Sequence, residues 1–355
     1  MSENPENKIE LPVINLPGDQ FAHTDAPTEW WWHVGTLTAE DGRVFGFEVN
    51  ATGMLSEKIS YAFTQIQITD VKNQRNYQKV NPILPRPNDW AQYDTSQPWF
   101  VKLGQSGTDG SVSMNAINGN PLNMSVQAIF TDVNSKGVET SCELTLNLFQ
   151  QGPPLLVWGT GCHEVNPSGT SPITKNNYYY SLTHLQASGT IKIGNEEIKV
   201  SGLTWMDHEY GAFPQGSPTS KVIWLLQDIQ LENGLHLSNY TKFGVYPEEN
   251  VPMSSNATLL IDGKSHFIKT TTTPLGPLFV SDKGITYFLK FKIELEGHDQ
   301  LSFIVDSSYG DQVFRDGEGA DVYEGVGTAE LIYDLTQKEK IVLSKGTAWI
   351  EQNLG

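Results

Sequence analysis

The sequence predicts an all-β protein, and three observations support that. Apolar and polar residues alternate along Cys142–Leu148 and Tyr287–Leu295, as strands with one packed and one wet face require. Turn signals punctuate such runs, and no segment beyond about ten residues keeps a helical period. Short strands separated by turns point to barrels or sandwiches.

Taken in order, Val34–Thr38 and Val44–Asn50 flank Glu40-Asp41-Gly42, a hairpin signal. Cys142 falls on the apolar face of its strand and reads as a core residue. Tyr178–Leu185 reads as a strand with Tyr178, Tyr180, Leu182 and His184 on one face and Tyr179, Ser181, Thr183 and Leu185 on the other. Gly189–Gly194 and Glu197–Val200 form a hairpin, Ser201-Gly202 a turn, and Trp205–Tyr210 an extended run. Val222–Leu231 joins Leu235–Tyr240 through Glu232-Asn233-Gly234, a second hairpin.

At 355 residues the chain exceeds the size at which one core stops growing, so two domains are expected. The boundary is placed near residue 200, giving 1–200 and 201–355, with the Asp207 segment opening the second. Hydrophobic content of 38% with 32 Gly and 19 Pro fits an ordered globular protein rich in turns. A net charge of −18 disfavours nucleic acid and anionic lipid as partners. The acidic, polar Met1–Lys8 stretch lacks a signal-peptide core, and no run has the roughly 18 apolar residues of a membrane span, so a cytoplasmic location is expected. Two cysteines exclude a disulfide scaffold and a four-cysteine zinc site.

The most informative run is Trp205-Met206-Asp207-His208-Glu209-Tyr210-Gly211. It sets two carboxyls and an imidazole side by side between residues that normally go inside. On a strand, Trp205, Asp207 and Glu209 share one face and Met206, His208 and Tyr210 the other, so Asp207 and His208 serve different neighbourhoods. A partly buried proton-transfer site accounts for this. The alternative is structural, with Asp207 and Glu209 in buried ion pairs with Arg or Lys and His208 capping a turn.

A second cluster is Thr28-Glu29-Trp30-Trp31-Trp32-His33. Alternation sends Trp31 opposite to Trp30 and Trp32, so one side meets another apolar body, unless the three fill one wide aromatic core. A carboxyl beside indole tends toward proton donation, which makes Glu29 a candidate acid; a salt bridge to Arg is the simple alternative. His33 lies beside the same rings. Trp224, Leu226, Asp228 and Gln230 share a face in the second half, with His236, Ser238 and Tyr240 on the partner strand, a mixture typical of ligand pockets. The two clusters, Trp30–Trp32 and the Asp207 run, are expected to converge.

Four landmarks occur in order: Thr28-Glu29-Trp30-Trp31 with Gly35, Tyr179-Tyr180-Ser181 with Ser188-Gly189-Thr190, Gly202–Gly211, and Tyr323-Glu324-Gly325. Together they resemble the AttH-like family, related to the carotenoid 1,2-hydratases (hydroxyneurosporene synthases). The resemblance implies two lipocalin-like β-barrel domains with a ligand site in or between them, and a relation to fungal decalin-forming cyclases.

There is no Gly-X-Ser-X-Gly elbow, His-Glu-X-X-His helix, phosphate loop or dinucleotide fingerprint. Joined to that resemblance, the reading is a lyase, isomerase or cyclase, with no cofactor and no metal expected. Its substrate would be a hydrophobic unsaturated small molecule: a terpenoid, carotenoid or polyketide polyene. Asp207, His208, Glu209 and Glu29 are the catalytic candidates. Trp30, Trp31, Trp32, His33, Tyr178, Tyr180, His184, Trp205, Trp224 and Asp228 are the binding candidates. A lipocalin-like carrier that binds without turnover is the alternative. The sequence does not specify an oligomeric state.

Overall fold

The computed structural model describes residues 13–56, 60–213, 223–241, 244–315, 321–336 and 339–354; Met1–Lys8 and Val222 lie outside them. Strand makes up 65% of the structure and helix 3%, as the period-two alternation requires.

The first sheet contains Thr28–Ala39 (β1), Val44–Leu55 (β2), Ser60–Asp70 (β3), Arg75–Ile83 (β4), Phe100–Leu103 (β5) and Ser111–Ile117 (β6). It continues with Asn120–Val133 (β7), Glu139–Gln150 (β8), Leu155–Leu156 (β9), Cys162–Glu164 (β10), Asn176–Ile193 (β11) and Glu196–Gly211 (β12). Its order is β4-β3-β2-β1-β12-β11-β8-β7-β6-β5, with β9 and β10 attached to β11. This barrel is nearly closed. Across the remaining gap Arg75 ion-pairs with Asp132, whose other oxygen accepts the Gln78 backbone N–H at 3.2 Å.

The second sheet holds Trp224–Leu231 (β13), His236–Thr241 (β14), Met253–Ile261 (β15), Lys264–Val280 (β16) and Thr286–Leu295 (β17). Leu301–Ser307 (β18), Val313–Phe314 (β19), Val322–Thr336 (β20) and Glu339–Asn353 (β21) complete it. All its pairs are antiparallel, and β18 pairs with β20 to close the ring, leaving β19 outside. Both hairpin signals are turns, with Gly42 and Gly234 in the left-handed region at φ +82° and +84°.

The change of sheet lies later than residue 200. β11 and β12 pair from Ile193↔Glu196 to Asn177↔Gly211, so the Asp207 run ends the first sheet and does not open the second. The turn expected at Ser201-Gly202 is absent because Gly202 serves close approach: a Cβ there would stand 2.2 Å from the Thr36 carbonyl oxygen of β1.

Alternation sorts each strand between the barrel interior and the face turned to the other barrel. On β2, Phe45, Phe47, Val49 and Ala51 enter the first core, whereas Glu48 lies between them on the opposite face. Cys142 is buried in the same core. A separate apolar cluster joins the barrels: Val34, Leu155, Val157 and Trp205 from the first half meet Leu260, Val326 and Trp349 from the second. Contact there is close enough that a Cβ on Gly46 would sit 2.8 Å from Val326.

Candidate active site

β12 lies between β1 and β11, and its register brings the sequence clusters together. Trp32 pairs with Asp207, Trp31 with His208 and Trp30 with Glu209, while Ser181 faces Asp207 from β11. The expected convergence of the Trp30–Trp32 group and the Asp207 run is thus a direct consequence of strand pairing.

The face turned to the second barrel carries Trp205, Asp207 and Glu209. Asp207 is 2% exposed, and its Oδ1 accepts Ser181 Oγ–H at 2.5 Å and Trp205 Nε1–H at 2.7 Å. Burial pushes its pKa up to about 6, with the hydrogen bonds of Ser181, Trp205 and Tyr179 opposing. Burial also raises Glu209, with Asn177 opposing it and Asp207 adding to it. Among the described residues the ion pairs of the structural alternative do not form: no Lys or Arg there is bonded to Asp207 or Glu209, and His208 caps no turn.

The second barrel answers with more acids. Asp228 on β13 is raised well above the carboxylate range, first by burial and then by Asp207. Glu351 on β21 is raised by burial, Asp228, Asp207 and Glu48. Glu324, across the ladder from Glu351, is raised by burial, Glu351 and Glu48, although Trp349 Nε1–H donates to its Oε2 at 2.9 Å. Glu48, on the first barrel, is raised by burial, and the nearby Trp32 indole pulls the other way without completing a hydrogen bond. Trp224 contributes a hydrogen bond toward Glu351. These carboxyls and indoles form one buried face between the barrels.

The interior face of β12 builds a different network. His208 Nε2 and Glu29 Oε1 are 3.0 Å apart, and Tyr180 Oη lies 3.0 Å from His208 Nδ1. Glu29 also accepts the His23 backbone N–H at 2.9 Å and meets His23 Nδ1 at 2.8 Å. The Trp31 ring stacks on His208 and the Tyr210 ring on both His23 and Tyr178. Burial works against charge on His23, but Asp19 and Glu29 outweigh it and push its pKa up to about 9. Burial would raise Glu29, yet the two histidines hold it below its ordinary value, so it is ionised; the Arg salt bridge of the simple alternative is replaced by histidine. Burial holds His208 low despite Glu29. Ligand-type atoms of His23, Glu29 and His208 lie within 4.8 Å of one another, a spacing that could hold a metal ion. The hydrogen bonds and ion pairs among them already account for these donors.

His33 is fully buried inside the first barrel, and with neither ring nitrogen bonded its pKa is pushed down to about 3. Trp30 packs on Phe213 at the edge of the site. His184 departs from the expected face: a bulge between Leu182 and Leu185 turns it toward the second barrel, where it stacks on His236. Sequence reasoning missed Glu48, Glu324, Glu351 and Trp349 as site residues, and His23 altogether. One signal was present, since Trp349-x-Glu351 repeats the same-face spacing of Trp205-x-Asp207.

The profile of the AttH-like family matches residues 8–351. The chain belongs to the AttH-like family. Its fold is that of a protein described as an AttH, NE1406, from Nitrosomonas europaea, at 18% identity and a TM-score of 0.73 over 97% of each chain. Kievitone hydratase from Nectria haematococca superposes at 15% identity with a TM-score of 0.68, covering 97% of this chain and 94% of that one. CghA, solved with Sch210972, superposes at 11% identity and a TM-score of 0.47 over 92% and 88%. No curated protein matches the chain. Among the described residues, no helix is long and apolar enough to cross a membrane.

Proposed function

We propose that this AttH-like protein is a cofactor-free lyase or cyclase of hydratase type, acting at the face between the barrels on a hydrophobic, unsaturated small molecule. The substrate class is a terpenoid, carotenoid or polyketide polyene. One observation carries the reading: Asp207 is a buried carboxyl with indole and hydroxyl donors and, among the described residues, no bonded cation, and burial raises its pKa to about 6, so it keeps its proton at a pH where an ordinary carboxyl has lost it. A protonated acid beside Trp205 and Trp32 can deliver its proton to an alkene, and the indole faces favour the positive charge that develops.

The fold shared with kievitone hydratase is consistent with this chemistry. A carrier reading explains an aromatic site but not the concentration of acids within it. Incubation with terpenoid, carotenoid and polyene probes, and with kievitone, separates the two. The enzyme reading expects a product heavier by one water or of altered skeleton. Recovery of every bound probe unchanged supports the carrier instead.

A further inference from the structure

Sequence alone places the proton acceptor for the adding water on His208 or Glu209, yet β12 turns His208 into the first barrel, away from Asp207. Glu209 stays on the face of Asp207, and the second barrel sets a further acid, Asp228, against that face. We propose that Asp207 and Asp228, one from each barrel, form a carboxyl pair that shares a single proton, with Asp207 as the acid and Asp228 as the base that takes the proton of the adding water. This rests on the hydratase reading above.

Three observations converge on the pair. The strands that carry it are docked in register: Gln230, two residues beyond Asp228 on the same face of β13, donates through Nε2 to the Thr183 carbonyl at 2.7 Å and the Thr204 carbonyl at 3.0 Å. Thr183 and Thr204 flank the Ser181–Asp207 contact on β11 and β12. Next, Asp228 is 2% exposed and, among the described residues, no donor completes a hydrogen bond to either carboxyl oxygen; Ser238, across the ladder, only pulls against the rise in its pKa. A buried carboxyl with both oxygens unpartnered is costly, and a proton held in common with a neighbouring acid removes that cost. Last, Asp207 is the neighbouring charge that acts most strongly on Asp228. Two carboxyls at close quarters cannot both ionise cheaply, which leaves one proton between them.

The groups that face the pair are Tyr179 from β11, Glu209 from β12, Glu324 from β20 and Glu351 from β21, with Glu48 of β2 acting on Glu351 and Glu324. Among the described residues none of these is a cation, so none of them supplies a counter-charge for full ionisation of both aspartates. The step balances within the pair. The Asp207 carboxyl proton bonds to one alkene carbon as the π pair forms the new C–H bond. A water lone pair then bonds to the cationic carbon, and the water proton passes to the Asp228 carboxylate. The pair ends with its single proton on Asp228, and transfer back to Asp207 restores the starting state.

The test needs no substrate. Carbon-13 is placed in the aspartate carboxyls, and their resonances are followed with pH in the wild type and in Asp207→Asn and Asp228→Asn. A shared proton predicts that each variant lowers the midpoint of the remaining aspartate by about one pH unit or more, because its like-charged neighbour is gone. In the wild type, two aspartate resonances move in two steps with both midpoints in common. Midpoints that stay in place in both variants, or independent single-step titrations in the wild type, overturn the pair. The wild-type criterion stands even where a variant does not fold. Failure of the proposed function is a separate result: an Asp207→Asn protein that turns substrate over normally ends the acid-catalysis reading whatever the resonances do.

Discussion

Asp207 and His208 are neighbours in the chain but belong to separate proton networks on opposite faces of β12. Asp207 is bonded to Ser181 and Trp205 on the face turned to the second barrel. His208 is bonded to Glu29 and Tyr180 inside the first. A run that reads as one ionisable cluster is therefore two, divided by the thickness of a strand.

The interior network holds its charges by mutual contact. Glu29→Ala leaves the His23 charge with Asp19 alone of its two counter-ions, and loss of one partner from a buried pair commonly costs about 3 to 5 kcal/mol. Partial exposure of His23 places the expected loss toward the lower end. The His23 proton affinity should also fall from its raised value of about 9 by more than one pH unit in an imidazole NMR titration. A His23 midpoint that does not move would show that Glu29 is not what holds that charge.

Stability should fall as pH rises from about 6 into the alkaline range. Asp207 binds its proton more tightly folded than unfolded, so its contribution is lost as pH climbs from about 4 through about 6. Asp228, Glu351, Glu324, Glu209 and Glu48 are raised in the same direction and extend the loss above that. The contribution of His23 is fully present below 6.5 and disappears as pH passes about 9. Glu29 opposes them at low pH, where its depressed value makes protonation destabilising, and so do His33, His236 and His208, which burial holds low and which the unfolded chain protonates below about 6.5. The thermal midpoint should peak on the acid side of neutral and drop by roughly 5 °C or more between pH 6 and pH 9. A midpoint that is level or rising over that interval contradicts the buried acids as described.

Gly202→Ala tests why β12 runs unbroken past the expected turn. A Cβ at 2.2 Å from the Thr36 carbonyl oxygen forces β1 and β12 apart, at a cost of about 1 to 3 kcal/mol or more. Ser201→Ala, at an exposed neighbouring position, should change the thermal midpoint little. Equal midpoints for the two variants would remove close approach as the reason for glycine.

Much of this was legible because strand alternation is a local property. It correctly separated Trp31 from Trp30 and Trp32, and Asp207 from His208. It failed at His184, where a bulge inserts a residue that period-two counting cannot see. It also failed at Gly202, because a glycine required by a neighbouring backbone has the same letter as a glycine in a turn. Glu48, Glu324 and Glu351 look like ordinary wet-face acids in their own strands. Only the docking of one barrel on the other buries them, and that packing is tertiary. His23 sits on a loop ahead of β1 with no periodic pattern to mark it.

The central claim is that Asp207 acts as an acid, and the most direct test is Asp207→Asn measured for turnover and thermal midpoint in the same preparation. Asparagine nearly preserves shape and can still meet Ser181 and Trp205, but it has no acidic proton. The account predicts turnover reduced by about 100-fold or more, with probe binding kept and the midpoint little changed or raised, since a costly buried acid is gone. A midpoint far below wild type, with normal turnover in the fraction that remains folded, would contradict it and leave Asp207 a structural residue.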